Sequence, residues 1–205
     1  MIYIARHGET DWNREGRYQG QRESQLTDTG VAQARALARA LSRQEIRRVA
    51  SSPLARCIDT ARPLAEALGL TVETDSELIE IAHGSWEGRL RASIEREDSP
   101  AMRTWREHPE RVHFEGGESL AHVDARWRDF MQRNRDADGI AIVTHDVIVR
   151  LAILAASGAP LSQLWEPRVV NGGYAVLRAG SWELVDECVD DHLDGLIVDT
   201  ASQAL

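Results

Sequence analysis

Residues 1–8, MIYIARHG, are the stretch that decides the fold, because an apolar run ends there in an arginine, a histidine and a glycine. The run MIYIA is typical of a buried strand. The polar, glycine-containing segment that follows this run, RHGETDWNREGRYQG, indicates a long loop. Ligands bind at the carboxyl ends of strands in open α/β sheets, so Arg6 and His7 are candidate site residues.

The same alternation of strand and helix continues along the chain. Residues 26–43 show apolar residues at helical spacing with Thr27 as the predicted N-cap, and residues 46–52, IRRVASS, follow as a second strand. The next helix starts near Pro53, ends at Gly69 and contains Pro63, where we expect a kink or a new turn. GIAIVTH at 139–145 is a third buried strand, with a helix behind it at 147–157. Strands alternating with helices predict an α/β fold, with helices on both faces of a mostly parallel central sheet.

The remaining segments complete one domain over residues 1–205. They comprise a short strand near TVET, helical stretches from Ile94 to Glu107 and from Ser119 to Arg135, and a closing hairpin around Ala179. The length suits a single core, and no repeat or linker divides the chain.

Composition narrows the range of partners. The formal net charge of -9 disfavours nucleic acid, whose binding depends on a basic surface. We expect no membrane span and no signal peptide, and hence a cytoplasmic protein in which Cys57 and Cys188 are reduced, buried thiols. A small anionic ligand stays compatible with the charge if arginines are concentrated in one pocket. The oligomeric state is open, a homodimer being one of the states allowed.

Three separated motifs carry phosphate chemistry. A neutral imidazole at His7 is a competent nucleophile, and the adjacent Arg6 can hold phosphoryl oxygens. Arg56 lies one turn into the helix that follows the second strand, and His145 ends the third. Each alone is more simply explained as a surface or buried polar residue. Because basic and histidine side chains occur at several neighbouring strand ends, we favour one shared anion-binding site.

Taken together, RHGET with Asn13 downstream, SSPLARCIDTA, LIEIAHGSWEG and VTH resemble the histidine phosphatase superfamily, also called phosphoglycerate mutase-like. The resemblance spans almost the whole chain. It implies a three-layer α/β/α sandwich of the phosphoglycerate mutase-like type, with His7 as the phosphorylated residue. It also implies phosphoryl ligands at Arg6, Arg56 and His145, a further phosphate ligand at Asn13, and a proton donor at Glu80.

The chemistry needs no metal ion or cofactor, since two arginines and a second histidine can neutralise the transferring group. The predicted function is therefore a metal-independent phosphatase that hydrolyses a small-molecule phosphomonoester through a phosphohistidine intermediate. Glu80 would protonate the leaving alkoxide and then activate water. Glu9 and Glu87 are the alternative donors within the matched motifs.

Two other functions compete with this prediction. A cofactor-dependent phosphoglycerate mutase resembles a longer chain with a basic insert after the Glu80 region, whereas residues 88–119 here are short and mix acidic with basic residues. A non-catalytic phospholigand-binding module would be expected to lack His7 or Glu80, and both are present. The sequence leaves the substrate undetermined.

Asp146 follows His145 where relatives commonly have glycine. We expect it to open a helix and to point away from the anion pocket, the alternative being a hydrogen bond to a substrate hydroxyl. A group of acidic residues and one histidine near residue 190 is interpreted as a solvated tail rather than a metal site, because the spacing of these residues is not diagnostic of metal ligands. It consists of Asp190, Asp191, His192 and Asp194.

Overall fold

The computed structural model describes residues 1–198 and 203–204. Within them a six-stranded sheet has the order β3-β2-β4-β1-β5-β6. The pairs β2-β3, β2-β4 and β1-β4 are parallel, while β1-β5 and β5-β6 are antiparallel, so the predicted mostly parallel sheet is confirmed. The strands are β1 (Ile2–Arg6), β2 (Arg48–Ser51), β3 (Val72–Thr74), β4 (Ile140–Thr144), β5 (Tyr174–Leu177) and β6 (Leu184–Val189).

Helices cover both faces of the sheet. Two of them, α2 and α3, share a hydrophobic cluster with one face, and α6 and α7 share a larger cluster with the other. Helices on both faces of the sheet, predicted from the strand and helix pattern, are thus confirmed, as is the three-layer α/β/α arrangement that the family resemblance implies. The helices of the described chain are α1 (Asp11–Glu15), α2 (Asp28–Leu41), α3 (Ala55–Leu68), α4 (Arg91–Glu97), α5 (Ser99–Glu107), α6 (Leu120–Arg133) and α7 (Asp146–Ser157).

Strand β1 shows why MIYIA is apolar throughout. Ile2 and Ile4 pack into the cluster that contains α6 and α7, whereas Tyr3 and Ala5 pack into the cluster that contains α2 and α3. Successive side chains of a strand point to opposite faces, so a strand covered on both faces must be apolar at every position. This burial fixes the end of β1, and with it the position of His7.

The segment after β1, predicted as a long loop, contains the short helix α1. Thr10 caps it by accepting a hydrogen bond from the backbone N–H of Asn13, whose side chain accepts one from the backbone of Thr10 in return. Gly16 ends the helix in the left-handed conformation, with φ of 66°. This reciprocal capping box satisfies N–H groups that such a short helix would otherwise leave unpaired.

One helix prediction also needs correction. The stretch from Ile94 to Glu107 is divided at Asp98, which ends α4 and accepts a hydrogen bond from the N–H of Ala101 as the cap of α5. Helix α3 begins two residues after Pro53 and continues through Pro63 to Gly69. The proline at 63 is therefore accommodated without ending the helix.

The carboxyl ends of β1, β2 and β4 meet at one edge of the sheet because these strands are parallel. The N-terminal turn of α2 approaches this edge closely: a Cβ on Gly8 would lie 2.5 Å from the Gly30 carbonyl oxygen. Glycine is thus required where α2 crosses the loop after β1. In the described chain, no helix has the length and apolar character that crossing a bilayer requires.

Candidate active site

His7 follows the last residue of β1 and is 3% exposed. Its backbone N–H donates to the Thr144 carbonyl on the neighbouring strand (2.9 Å), and its own carbonyl accepts from the Asn171 side chain (3.1 Å). The ring Nδ1 lies 2.7 Å from the Gly8 carbonyl oxygen. Since a carbonyl can only accept, Nδ1 carries the proton and Nε2 keeps its lone pair. The ring is thereby oriented with an unprotonated nitrogen free to attack.

The surroundings of His7 keep it neutral. Burial, followed by the positive charges of Arg56 and Arg6, holds the pKa of His7 well below its ordinary value. All three effects disfavour the imidazolium, and the hydrogen bond to Gly8 opposes them. A neutral imidazole is the form that a nucleophile requires.

Arg56 lies at the second position of α3 and is 1% exposed. Its two terminal nitrogens donate to the carbonyl oxygens of Arg22 (2.8 Å) and Gly20 (2.7 Å). The Nε atom is buried and has no hydrogen-bond partner in the described residues. Because the ligands of this guanidinium are neutral carbonyls, its full charge is available to an anion.

His145 is placed beside His7 by the β1-β4 pairing, with ring centroids 5.3 Å apart. Its Nε2 lies 2.7 Å from the Ser52 hydroxyl at the end of β2. The Cys57 thiol is 3.4 Å from the same nitrogen, and burial raises the pKa of that thiol, so it stays protonated. Burial and the nearby Arg56 lower the pKa of His145 well below its ordinary value. His145 is thus a neutral neighbour of His7.

Glu80 lines the same pocket and lies in the segment after β3. One carboxyl oxygen accepts from the Ile81 N–H (2.9 Å), and its backbone carbonyl is held by Arg126 (3.1 Å) and by Gln21 (3.0 Å). Burial raises the pKa of Glu80 to about 7, and the negative charge of Asp146 contributes to that increase. A carboxyl with this pKa can give and regain a proton near neutral pH.

Asn13, at the start of α1, reaches the same pocket, where its amide meets Gln203. The Gln203 side-chain oxygen accepts from Arg6 Nη2 (2.6 Å) and from Asn13 Nδ2 (3.2 Å). Its amide nitrogen donates to Asn171 Oδ1 (2.8 Å). Gln203 therefore places a neutral oxygen against two of the predicted phosphate ligands, a contact that no sequence motif indicated.

His83 was not among the predicted site residues, although it lies in the quoted LIEIAHGSWEG motif. It is 3% exposed, lines the pocket, and neither ring nitrogen has a hydrogen-bond partner in the described part of the chain. The rings of Tyr18 and Phe114 contact it with centroids 4.9 and 4.8 Å away. Burial and Arg56 lower the pKa of His83 to about 3, so it lines the pocket as a neutral imidazole.

The prediction that Asp146 points away from the pocket is wrong. Asp146 does open α7, but its carboxylate is 2% exposed, lies 3.0 Å from Arg6 Nη1 and lines the pocket. Its other oxygen accepts from Arg150 Nε, one helical turn later. The two buried arginines draw the carboxylate inward, because an acid in the first turn beside a guanidinium is better paired than solvated.

The residues predicted from three of the four motifs thus line one pocket, whereas His145, predicted from the fourth, contacts His7 without lining it. The space left between them is about 20 Å³, or roughly one water molecule, and Ala204 is part of its lining. His145 lies behind His7 and is fully buried, so it is not part of the lining. The lining comprises Arg6, His7, Asn13, Gln19, Gly20, Arg56, Glu80, His83, Asp146, Val147 and Ala204.

The acidic group near residue 190 shows no metal-ligand arrangement, and no group of three or more His, Cys, Asp or Glu side chains placed to hold a metal occurs in residues 1–198 and 203–204. Asp190 forms an ion pair with Arg168 at 2.5 Å. The His192 ring donates to the Gly172 carbonyl oxygen (2.9 Å). These side chains stabilise the segment after β6 rather than forming a cluster.

Comparison with known proteins agrees with this geometry. A sequence model of the histidine phosphatase superfamily, branch 1, matches residues 2–187. Phosphoserine phosphatase 1 of Hydrogenobacter thermophilus is 37% identical over 180 residues, which cover 86% of this chain and 85% of that protein.

Solved structures extend the comparison to the fold. Bacillus stearothermophilus YhfR superposes with a TM-score of 0.86 at 29% identity, over 94% of this chain and 98% of that one. The alpha-ribazole phosphatase of Shigella flexneri superposes with a TM-score of 0.81 at 26% identity, over 93% of this chain and 96% of that one.

The chain belongs to the histidine phosphatase superfamily. It is a phosphatase of that superfamily, a phosphoric monoester hydrolase, as the phosphatase relatives support. The phosphatase prediction is thereby confirmed, and the phosphoglycerate mutase alternative is less supported.

Proposed function

We propose that the protein hydrolyses a small phosphorylated metabolite through a phosphohistidine on His7, without a metal ion or cofactor. One observation carries this proposal: Nδ1 of His7 donates to the Gly8 carbonyl at 2.7 Å, which leaves Nε2 as a lone-pair nucleophile between two arginines.

In the first step, Nε2 of His7 attacks phosphorus and the bond from phosphorus to the alcohol oxygen breaks. Arg56 and Arg6 neutralise the phosphoryl oxygens, with Asn13 as a further donor. Glu80 gives its proton to the departing oxygen, which leaves as a neutral alcohol. The products are phosphohistidine and a Glu80 carboxylate.

In the second step, water attacks the phosphohistidine. The Glu80 carboxylate removes a proton from the water as its oxygen bonds to phosphorus, and the phosphorus–nitrogen bond returns its electron pair to Nε2. Inorganic phosphate leaves, His7 is neutral again and Glu80 is protonated for the next cycle. A carboxyl with a pKa of about 7 suits both halves of this cycle.

The region after Glu80 supports hydrolysis rather than phosphoryl retention. A mutase needs free cations there to hold the carboxylate of bound glycerate, but three arginines of this segment face glutamates. Arg89 pairs with Glu97, and both Arg91 and Arg106 pair with Glu95. The segment therefore lacks the concentrated positive charge that a carboxylate clamp requires.

Steady-state assays against a panel of sugar, glycerate, amino-acid and nucleotide monophosphates, all in excess EDTA, test the proposed function. We expect release of inorganic phosphate from at least one member at an undiminished rate, because protein side chains supply the charge neutralisation. Loss of activity in EDTA that a divalent ion restores would contradict metal independence. Absence of turnover across the panel would contradict the phosphatase proposal.

Gln203 competes with the ligand in this scheme, since its amide oxygen lies 2.6 Å from Arg6 and 3.2 Å from Asn13. A protein whose binding-competent state is only partly populated binds more weakly by that fraction. We therefore expect Gln203→Ala to lower the inhibition constant of inorganic phosphate and of vanadate by about three- to tenfold. Gln132→Ala, at an exposed position of α6, is the matched control. Weaker inhibition in Gln203→Ala would instead assign Gln203 to positioning Arg6.

The two cysteines support a reducing compartment, and we propose the cytoplasm as the location. Cys57 and Cys188 are both free, as predicted, although Cys188 is half-buried rather than buried. Unpaired thiols are the rule where glutathione and thioredoxin keep cysteines reduced.

A further inference from the structure

The carboxylate of Asp146 is the feature of the pocket that phosphate binding does not explain. It lines a site built for a dianion, where a like charge is unfavourable. Two cations hold it there: Arg6 at 3.0 Å from Oδ2, and Arg150, whose Nε donates to Oδ1. Arg150 is itself fixed by the carbonyls of Leu164 (3.4 Å) and Pro167.

The pair between Arg6 and Asp146 is an ion contact without a hydrogen bond. Although the two atoms are 3.0 Å apart, neither Arg6 Nη1 nor Asp146 Oδ2 has a hydrogen-bond partner within residues 1–198 and 203–204. Both atoms are buried. Asp146 Oδ2 thus has its charge paired with Arg6 but accepts no well-directed hydrogen bond among the described residues, so it keeps acceptor capacity toward a ligand in the pocket that it lines.

We propose that Asp146 is a charge-selecting residue, which favours phosphomonoesters whose alcohol part carries an ammonium or hydroxyl group close to the phosphate and disfavours those with a carboxylate there. This inference rests on the proposed function and names the substrate class of the same pocket. Oδ2 accepts a hydrogen bond from the ammonium or hydroxyl. A second carboxylate at that place meets Asp146 in a pocket where water cannot screen the repulsion.

The ionic environment of the pocket fits this selection. Arg6 already has an anionic partner in Asp146, so Arg56, held by neutral carbonyls, supplies most of the attraction for the phosphate. His83 and His145 add no positive charge, because burial lowers the pKa of each. None of these residues therefore offers a free cation that could pair with a carboxylate of the substrate next to the phosphoryl site.

Three compounds of similar size isolate the charge next to the phosphate: O-phosphoethanolamine, 2-hydroxyethyl phosphate and phosphoglycolate. Each is measured as a competitor of nitrophenyl phosphate hydrolysis, which reports binding whether or not the compound is itself hydrolysed. We expect the wild-type protein to bind O-phosphoethanolamine about tenfold or more tightly than phosphoglycolate, with the hydroxyl compound between them, as a single nearby charge predicts.

Asp146→Asn keeps the shape and one acceptor but removes the charge. We expect it to reduce the ratio between the ammonium and carboxylate compounds about tenfold or more, mainly by tighter binding of phosphoglycolate. Asp136→Asn, which removes one charge from a side chain that is 92% exposed, should leave the ratio unchanged. An equal change for all three compounds would assign Asp146 to holding Arg6 and overturn the proposal.

Asp146→Asn removes the charged partner of two buried arginines and can prevent folding. The proposal is still tested if it does. In that case the wild-type order decides, and tighter binding of phosphoglycolate than of O-phosphoethanolamine overturns the selection. Failure of the proposed function looks different, since the protein would then hydrolyse neither nitrophenyl phosphate nor any metabolite phosphate.

Discussion

We expect replacement of His7 by alanine to lower turnover of every phosphomonoester by about 10⁴-fold or more, the magnitude typical of removing a catalytic nucleophile. The reason is geometric. His7 Nε2 is the lone-pair atom aimed into the pocket by the Nδ1 hydrogen bond to Gly8, and neighbouring His145 is fully buried behind it and does not line the pocket. Cys57 offers no substitute, since burial raises the pKa of its thiol.

Rapid quench with labelled substrate measures the intermediate directly. The wild-type protein should yield an adduct on His7 that is labile in acid and stable in alkali, as a phosphorus–nitrogen bond requires, and the alanine variant should yield none. His122→Ala, at an exposed position of α6, is the control for a generic histidine loss. Near wild-type turnover in His7→Ala would end the phosphohistidine mechanism.

Much of this site could be predicted from the sequence because its parts sit at strand ends. A parallel sheet brings the carboxyl ends of its strands to one edge, so locating the strands was enough to bring His7 and His145 together, 5.3 Å between ring centroids. Arg56 followed from its distance into the helix after β2. These predictions used the regular geometry of strands and helices, with run length and flanking glycine and proline residues separating the two.

The parts that could not be predicted depend on contacts between distant segments. Gln203 reaches Arg6 across 197 positions of sequence, and no local pattern indicates such a contact. The inward direction of Asp146 is set by Arg6 and Arg150 together, whereas its helix-opening position alone suggested a solvated cap. His83 lies in the LIEIAHGSWEG motif, but no local pattern shows that it lines the pocket, where neither ring nitrogen has a hydrogen-bond partner among the described residues.

Replacing Glu80 by glutamine produces a second large effect, one that depends on the substrate. Glutamine keeps the size and the acceptor that binds the Ile81 N–H at 2.9 Å, but it has no proton to give. We expect the phosphorylation step to slow by about 10²–10⁴-fold with an alkyl phosphate, whose alkoxide leaves poorly without protonation. With nitrophenyl phosphate, whose phenolate leaves readily, the loss should be much smaller.

Single-turnover phosphorylation is the measurement that separates these cases. Steady-state rates also contain the hydrolysis of phosphohistidine, in which the proposed mechanism uses Glu80 as base, and would obscure the difference. Glu87→Gln is the matched control, because Glu87 lies in the same motif and its Oε1 accepts backbone N–H groups of Gln21 (3.1 Å) and His83 (3.0 Å). Neither Glu87 nor Glu9 belongs to the described lining of the pocket.

The pH dependence of the same step supplies an independent test of the role of Glu80. Burial raises the pKa of Glu80 to about 7, so the carboxyl is protonated below that pH and loses its proton as the pH rises through it. The rate with an alkyl phosphate should therefore fall above about pH 7, whereas His7, whose pKa lies well below its ordinary value, stays neutral across the range. In Glu80→Gln this decline should disappear. Equal losses with both substrates, together with an unchanged pH profile, would show that Glu80 positions the phosphate and that the proton comes from elsewhere.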